Sequence, residues 1–415
     1  MRDHELYARI LEIQPPWRVR NVELRPEAGE VHVFITTDAE SLRCPTCSKA
    51  SPGYDHRERR WRHLDTCQYR TILIADLPRV QCAEHGVVQV AVPWSEPGSR
   101  FTALFEALAI DWLQESSLSA VARLLHLSWD EVDGIQARAV ARGLARRQFE
   151  PPKRIGVDET SFQKRHEYVT VVCDLDRGIV LHVADDHYRG SLDEFYEKLG
   201  PECLSQVVVV CMDMWQSYIG ATLEHVPDAY HKIAFDKYHV AQQLGKAVDQ
   251  VRKIEHRELH AAGDETLKKT KYLWLTNPEN MKAKAAELFE PLKQSALKTA
   301  RAWAIKETAM MLWDYSQRGW ADRAWKKWLK WALRCRLAPM RKVAEMVRTH
   351  LWGILNAIVH HVTNAHAEGM NSRIQAIKRW ACGYRNRERF RNAIYFHLGG
   401  LDLYPEAARG THTKA

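Results

Sequence analysis

The stretch VVVVCMDMW, residues 207–215, decides the fold. Four consecutive valines suit a strand buried on both faces, because β-branched side chains pack well on a pleated surface covered from each side. Such a run has no use for a charge, yet it stops on Asp213. A buried strand that ends on a carboxylate predicts a site at that end.

The neighbouring segments say what kind of sheet the strand belongs to. RIGVDET (154–160), EYVTVVCD (167–174) and GIVLHVA (178–184) read as strands, the last two joined by the turn LDRG (175–178). SLDEFYEKLG (191–200) reads as a helix, then come the valine strand, a helix at WQSYIGATLE (215–224) and a fifth strand at HKIAFD (231–236). Three consecutive strands followed by crossover units predict a mixed sheet with helices on its faces. This is the order of the ribonuclease H-like fold, in which the first and fourth strands lie side by side.

If those strands are neighbours, Asp158 and Asp213 converge at one sheet end. Two like charges so close resist ionising together. A divalent cation resolves the conflict, and carboxylate oxygens suit magnesium. A third ligand is expected from a distant element, and NAHAEGMNSRIQAIKRW (364–380) offers Glu368 near the start of a helix. There Glu368, Ser372, Gln375 and Arg379 share one face, while Met370, Ile374, Ile377 and Ala381 form an apolar stripe expected to pack on the sheet. Three such acids can hold two magnesium ions ~3.5–4 Å apart. Among other acids, Glu159 should point to the opposite face, Asp174, Asp176, Asp185 and Asp186 read as turn residues, and Asp236 could approach the site. Lys237 and His239 beside it suit contact with DNA equally.

Toward the N-terminus, LRCPTC supplies Cys44 and Cys47, and QCAEHG supplies Cys82 and His85 at the same spacing, with 34 residues between the pairs. Two such knuckles complete a tetrahedral zinc site, and with the strand-like YRTILIADL (69–77) they read as a zinc ribbon. Cys67 and His63 are possible substitute ligands. The nine cysteines are odd in number and scattered, which argues against a disulfide framework.

After the break at PWSEPGSR (93–100), LSAVARLLHLSWDEVDGIQARAV (118–140) resembles a helix-turn-helix. Ala122 and Val132 fall where the two helices must touch, and Ser128 with Glu131 makes a capping box. His126 occupies the turn position usually given to Gly. Asp130, Glu131 and Asp133 at the start of the second helix would repel phosphates, whereas Arg138, Arg142, Arg146 and Arg147 follow as candidates for DNA contact. Whether the module reads bases stays open.

Residues 240–362 read as wholly helical and rich in Lys and Trp. Trp303, Trp313, Trp320, Trp325, Trp328, Trp331 and Trp352 are expected to pack between helices or to form an aromatic platform for unstacked DNA bases. From Arg373 to Arg391 there are seven Lys or Arg and one acid, with Trp380, Tyr384 and Phe390 interleaved. That suits phosphate and base contact, with Asn371, Arg373, Lys378, Arg379, Trp380, Tyr384, Arg385 and Arg387 as candidates. A formal net charge of +8 points the same way. No run approaches ~18 apolar residues and MRDHELYARI lacks the apolar stretch of a secretory signal, so a cytoplasmic, nucleoid-associated protein is expected.

Taken together, LRCPTC…CAEHG, the helix-turn-helix, GVDETSF, CMDMWQSY, FDKYHV and NAHAEGMNSRIQAIKRWACGYRN resemble the DDE transposases of bacterial insertion sequences, in the group called ISL-three. The most specific motif is the C-terminal one: Thr363 and Asn364, Glu368 and Gly369, Asn371, and Lys378 and Arg379. One departure is Ala365-His366, where relatives often have small or apolar residues. The resemblance implies that Asp158, Asp213 and Glu368 are the catalytic triad and that a helical insertion fills the long gap between the last two. It also implies that the N-terminal region recognises terminal inverted repeats.

The expected fold class is multi-domain α/β: a ribonuclease H-like mixed sheet with a large helical insertion, preceded by a small zinc ribbon and a helix-turn-helix module. The expected domains are 1–95 with the zinc ribbon, 96–150 with the helix-turn-helix, 151–240 and 363–400 as the split catalytic domain, 241–362 as the insertion and 401–415 as a disordered tail. The expected activity is cleavage of double-stranded DNA at element ends and strand transfer into target DNA, with two magnesium ions and one structural zinc. At least a dimer on DNA is expected. The alternatives are a structure-specific nuclease of the same fold and a DNA-binding regulator whose sheet domain is inactive.

Overall fold

The computed structural model describes residues 2–39, 42–148, 150–163, 167–185, 189–361 and 365–408, and of residues 365–368 the backbone alone. The chain forms two compact units, 1–147 with 395–415, and 148–394. Among the described residues no helix is long and apolar enough to cross a membrane.

The first unit opens with helix α1 (Asp3–Ile10) and strands β1 (Trp17–Arg25), β2 (Glu30–Thr37), β3 (Gly53–Arg62), β4 (Arg70–Cys82) and β5 (Gly86–Gln89). The sheet order is β1-β2-β4-β3, with β5 on β4. β2 and β4 are parallel; the other pairs are antiparallel. Its core gathers Val33, Leu73 and Leu77 around an edge-on cluster in which Trp94 meets Trp17 at 5.0 Å and Trp61 at 5.5 Å. The opening residues are thus part of the sheet that carries the ribbon.

Helices α2 (Ala103–Glu115), α3 (Leu118–Leu125) and α4 (Trp129–Arg146) follow. Ser117 caps α3, and Ser128 and Glu131 form the expected capping box of α4. His126 holds the left-handed turn conformation at φ 54°, a place a short polar ring tolerates better than a branched chain. Ala122 and Val132 are buried, as the helix-turn-helix requires.

His63 is buried and its Nδ1 lies 2.9 Å from the Thr102 hydroxyl that caps α2. Burial, aided by the Arg62 cation, pushes its imidazole down to about 4. The unfolded chain takes up that proton near pH 6.5, so the stability contribution is complete above 6.5 and lost as pH falls toward 4. Urea unfolding at stepped pH should show this acid limb, up to ~3 kcal/mol, and His63→Gln should flatten it. An unchanged limb in the variant would remove His63 as its source.

The second unit carries β6 (Arg154–Gln163), β7 (Glu167–Asp174), β8 (Ile179–Ala184), α5 (Arg189–Ser205, kinked at Gly200), β9 (Val209–Met212), α6 (Gln216–His225), α7 (Ala229–Lys232) and β10 (Ile233–Phe235). Its five-stranded sheet has the order β10-β9-β6-β7-β8, with β6 parallel to β9 and antiparallel to β7. This is the expected ribonuclease H-like arrangement. The valine run differs in one respect. Val207, Val209 and Val210 are buried, but Val208 is 48% exposed, because the strand begins only at Val209.

Between β10 and the C-terminal helices lie α8 (Lys237–Ala261), α9 (Lys271–Leu275), α10 (Ala283–Lys293), α11 (Lys298–Met311), α12 (Arg318–Arg334) and α13 (Ala338–Val359). α13 packs on β10, and at Gly353 an added Cβ would stand 2.4 Å from the Phe235 ring, so only glycine lets the helix approach the strand. Trp274, Trp325 and Trp328 are buried between helices. Helices α14 (Ala365–Trp380) and α15 (Arg387–Leu398) follow, and the division between units falls inside α15.

The expected disorder of 401–415 is corrected over 401–408. Ala408 packs with Ala103 and Ala107 of α2, and the Tyr404 hydroxyl donates to Asp111 at 2.6 Å. Residues 409–415 lie outside the described residues.

Candidate catalytic and metal-binding sites

The register of β6 and β9 positions the first two acids. Gly156 is paired with Cys211, so Asp158 and Asp213 each stand two residues further along neighbouring parallel strands. Each carboxylate accepts the next residue's amide, Glu159 N at 2.7 Å and Met214 N at 2.6 Å. Burial raises the Asp158 carboxyl above the usual range, and the Asp213 charge adds to it; the Glu159 amide, His239 and Asn371 oppose the rise. Glu159 turns the other way and accepts the Tyr218 hydroxyl.

β6 outruns β9 past Gly156, and α14 takes over the exposed edge. Asn371 Nδ2 donates to Asp158 Oδ2 at 2.6 Å, Gln375 to Thr160 Oγ1 at 2.9 Å, and Lys378 to the Ser161 carbonyl at 2.8 Å. The expected apolar stripe of the helix is buried at Met370, Ile374 and Ile377. Glu368 lies on this helix one turn before Asn371, but its side chain falls outside the described residues, as do Thr363, Asn364 and the His366 side chain.

Asp236 is buried and caps α8 through the Tyr238 amide. His239 stands between two acids, Nδ1 3.4 Å from Asp213 and Nε2 3.6 Å from Asp236. The spacing of Asp236 and His239, one turn apart at a helix start, was the available signal for this pairing; DNA contact was the other reading. Asp174 accepts the Asp176 and Arg177 amides, as a turn residue should.

In the first unit, Cys44, Cys47, Cys82 and His85 bring their ligand atoms within 4.8 Å of one another. Cys44 and Cys47 sit on the knuckle between β2 and β3, Cys82 ends β4, and His85 lies in the turn before β5. The Cys47 and Cys82 sulfurs are 3.7 Å apart, and His85 Nδ1 is 3.6 Å from Cys82 and 3.7 Å from Cys44. Tetrahedral ligation with zinc–sulfur bonds of ~2.3 Å needs separations of about 3.5–3.8 Å, so this Cys3His set is consistent with structural zinc. The Glu84 amide, with the His85 ring, pulls the Cys82 thiol down to about 6. Cys67 is exposed and His63 is committed to Thr102, so neither joins the cluster.

The helix-turn-helix arginines have partners within the first unit. Arg138 binds Glu106; Arg142, its side chain 7% exposed, binds Glu96, Glu106 and the Leu403 carbonyl; Arg146 binds Glu406 and the Tyr404 carbonyl. Buried Glu106 and the chain segment 403–406 thus neutralise part of this positive charge from within the unit. In the second unit Arg387 lies over Phe162 and binds Glu167 and the Asp185 carbonyl, and Tyr384 packs on Phe390. Arg373, Arg379, Arg385 and Trp380 are exposed.

A mixed sheet of this order with two aspartates just past the point where β9 stops pairing with β6, in a chain that also folds a Cys3His ribbon and a helix-turn-helix, defines a multi-domain protein of the ribonuclease H-like class. Residues 155–394 match the family model described as Transposase, 90–140 that of the helix-turn-helix domain of transposase family ISL3, and 40–85 that of the zinc-finger of transposase IS204/IS1001/IS1096/IS1165. The chain belongs to the ISL3 family of transposases. It is similar to the transposase for insertion sequence element IS1557 of Mycobacterium tuberculosis, 28% identical with 93% of each chain covered. It is also similar to that for IS1001 of Bordetella parapertussis, 26% identical over 97% of this chain and 99% of the relative.

Proposed function

We propose that this chain cuts double-stranded DNA at the ends of an insertion sequence and joins the freed 3′-hydroxyls to target DNA, using Asp158, Asp213 and Glu368. The observation that carries the reading is the pairing of Gly156 with Cys211 at the end of the β6–β9 ladder, which leaves Asp158 and Asp213 each two residues further on. Helical periodicity supports Glu368 as the third acid, because position 368 falls on the face of α14 that carries Asn371 and Gln375 toward β6. The oxygen donors suit two magnesium ions, which when bound supply charge neutralisation at both the attacking and leaving oxygens. Asp158, Asp213 and Glu368 would hold them; Asn371 orients Asp158, and His239, propped by Asp236, orients Asp213.

On this reading the catalytic domain is 151–240 with 363–400, split by the insertion 241–362. Residues 1–95 and 96–150 recognise the element ends, with one zinc ion holding the ribbon through Cys44, Cys47, Cys82 and His85. Exposed Arg373, Arg379 and Arg385 contact phosphates and Trp380, 54% exposed, stacks beside the cleaved strand. Joining two ends requires at least two subunits on DNA.

A strand-transfer assay tests the reading, with labelled duplex carrying the DNA that flanks the gene, magnesium and a plasmid target. Nicked ends and joined products are expected. Cut products without joining would favour the nuclease, and binding without any cleavage would favour the inactive regulator.

A further inference from the structure

The tryptophans of α12 divide into two sets. Trp325 and Trp328 are buried, whereas Trp320 and Trp331 stand 56% and 39% exposed. At 3.6 residues per turn, these two exposed rings fall with Arg323, Lys327, Lys330 and Arg334 in an arc of about 100°. Ala321, Trp325, Trp328, Leu329 and Ala332 fill the opposite side and are buried, while the four cations of the first arc are exposed. The Arg323 guanidinium lies 4.0 Å over the Trp320 ring, which holds the cation flat on the surface. The acid of this helix, Asp322, stands outside the arc and pairs with Lys326 at 2.7 Å.

Like charges three and four residues apart disfavour a helix, by a few tenths of a kcal/mol per pair. Exposed indole rings add nothing to the core. A face that carries both fits an anionic partner with flat apolar edges. From Trp320 to Arg334 the stripe runs ~21 Å, about the axial rise of six base pairs of duplex.

We propose that this face of α12 docks the sugar-phosphate backbone of duplex DNA without reading sequence. Arg323, Lys327, Lys330 and Arg334 neutralise phosphates, and Trp320 and Trp331 lie against the sugars. The surface lies on a different helix from the exposed basic residues of α14 and from the strands that carry the aspartates. It rests on the proposed transposase activity only for its choice of DNA as occupant.

The test is fluorescence anisotropy of a random-sequence duplex with the full zinc-loaded chain, titrated with KCl and without magnesium, so that cleavage plays no part. Replacing Arg323, Lys327 and Lys330 together by Ala should weaken binding at least tenfold at low salt and lower the slope of log K against log salt by about 2.7. Trp320→Ala with Trp331→Ala should weaken binding several-fold at an unchanged slope. Circular dichroism confirms that both variants keep their helices. An unchanged slope in the triple variant overturns the proposal. So does an effect confined to single-stranded probe, or a loss of self-association with duplex binding intact. Asp213→Ala should bind like the unaltered chain, so a failure of catalysis and a failure of this surface are read separately.

Discussion

Asp213→Ala is expected to abolish magnesium-dependent cleavage and joining, a loss on the order of a thousandfold or more, while duplex binding stays within about twofold. The size follows from what the carboxylate does in the proposed reaction. A bound cation stabilises the charge of in-line displacement by several kcal/mol, and each 1.36 kcal/mol is a factor of ten. Removing a ligand from an acid set of three leaves too little negative charge to hold two ions. Folding should not suffer, because Asp213 is partly exposed and its charge disfavours the ionised form of Asp158. Taking that charge away lets the Asp158 carboxyl ionise more readily in the metal-free protein. The measurement is single-turnover cleavage of end DNA across a magnesium titration, with urea unfolding as the control. Asp213→Asn, which keeps the oxygen facing the Met214 amide, should be nearly as inactive as the alanine variant. Full cleavage by either variant would sink the assignment of Asp213.

The fold was legible in the sequence where local pattern and long-range partner coincide. Alternating strands and the valine run specify the β6–β10 order, because both faces of that sheet are covered and each strand must say so in its own residues. The capping box at Ser128 and the stripe Met370–Ile374–Ile377 are local as well. The zinc knuckles were legible for the same reason: their ligand spacing is short and the two halves match. What escaped were partners that no local pattern encodes. Arg142 has the same sequence surroundings whether it faces DNA or buried Glu106, and the segment 403–406 that receives it lies some 260 residues away. The joining of β1 and β2 to the ribbon sheet runs through the β2–β4 ladder and the contact of Trp17 with Trp94, partners in unrelated stretches of chain. The hydrogen bonds from α14 to β6 were hidden because Asn371 and Lys378 look like surface polar residues until the short β9 leaves an edge open. Residue type alone could not separate Trp325 from Trp320; helical phase does, and the two then take different roles.

Removing the ribbon's metal should have the second large effect. The purified chain is expected to carry one zinc equivalent, and Cys82→Ser to lose it. Zinc-finger peptides draw ~10–16 kcal/mol from their metal, and they have little else to hold them. Here Val33, Trp61, Leu73 and Trp94 give the sheet a core of its own, so the loss should be smaller, on the order of several kcal/mol, and confined to the first unit. The segments that depend on the metal are the knuckle at Cys44–Cys47 and the turn at Cys82–His85, which bring three sulfurs and an imidazole together at about 3.7 Å. With the Glu84 amide and the His85 ring holding Cys82 near 6, a thiolate is already present at neutral pH for the metal to bind. Limited proteolysis should therefore cut first near residues 42–52 in Cys82→Ser, while the 148–394 unit keeps its unfolding midpoint. Lys49 and Glu84, which pair across the two knuckles, cannot substitute for the metal because both are largely exposed. Zinc content by atomic absorption, read beside the cleavage pattern, decides the matter: a Cys82→Ser protein that keeps its zinc equivalent and its resistance would show that these four residues do not form the site.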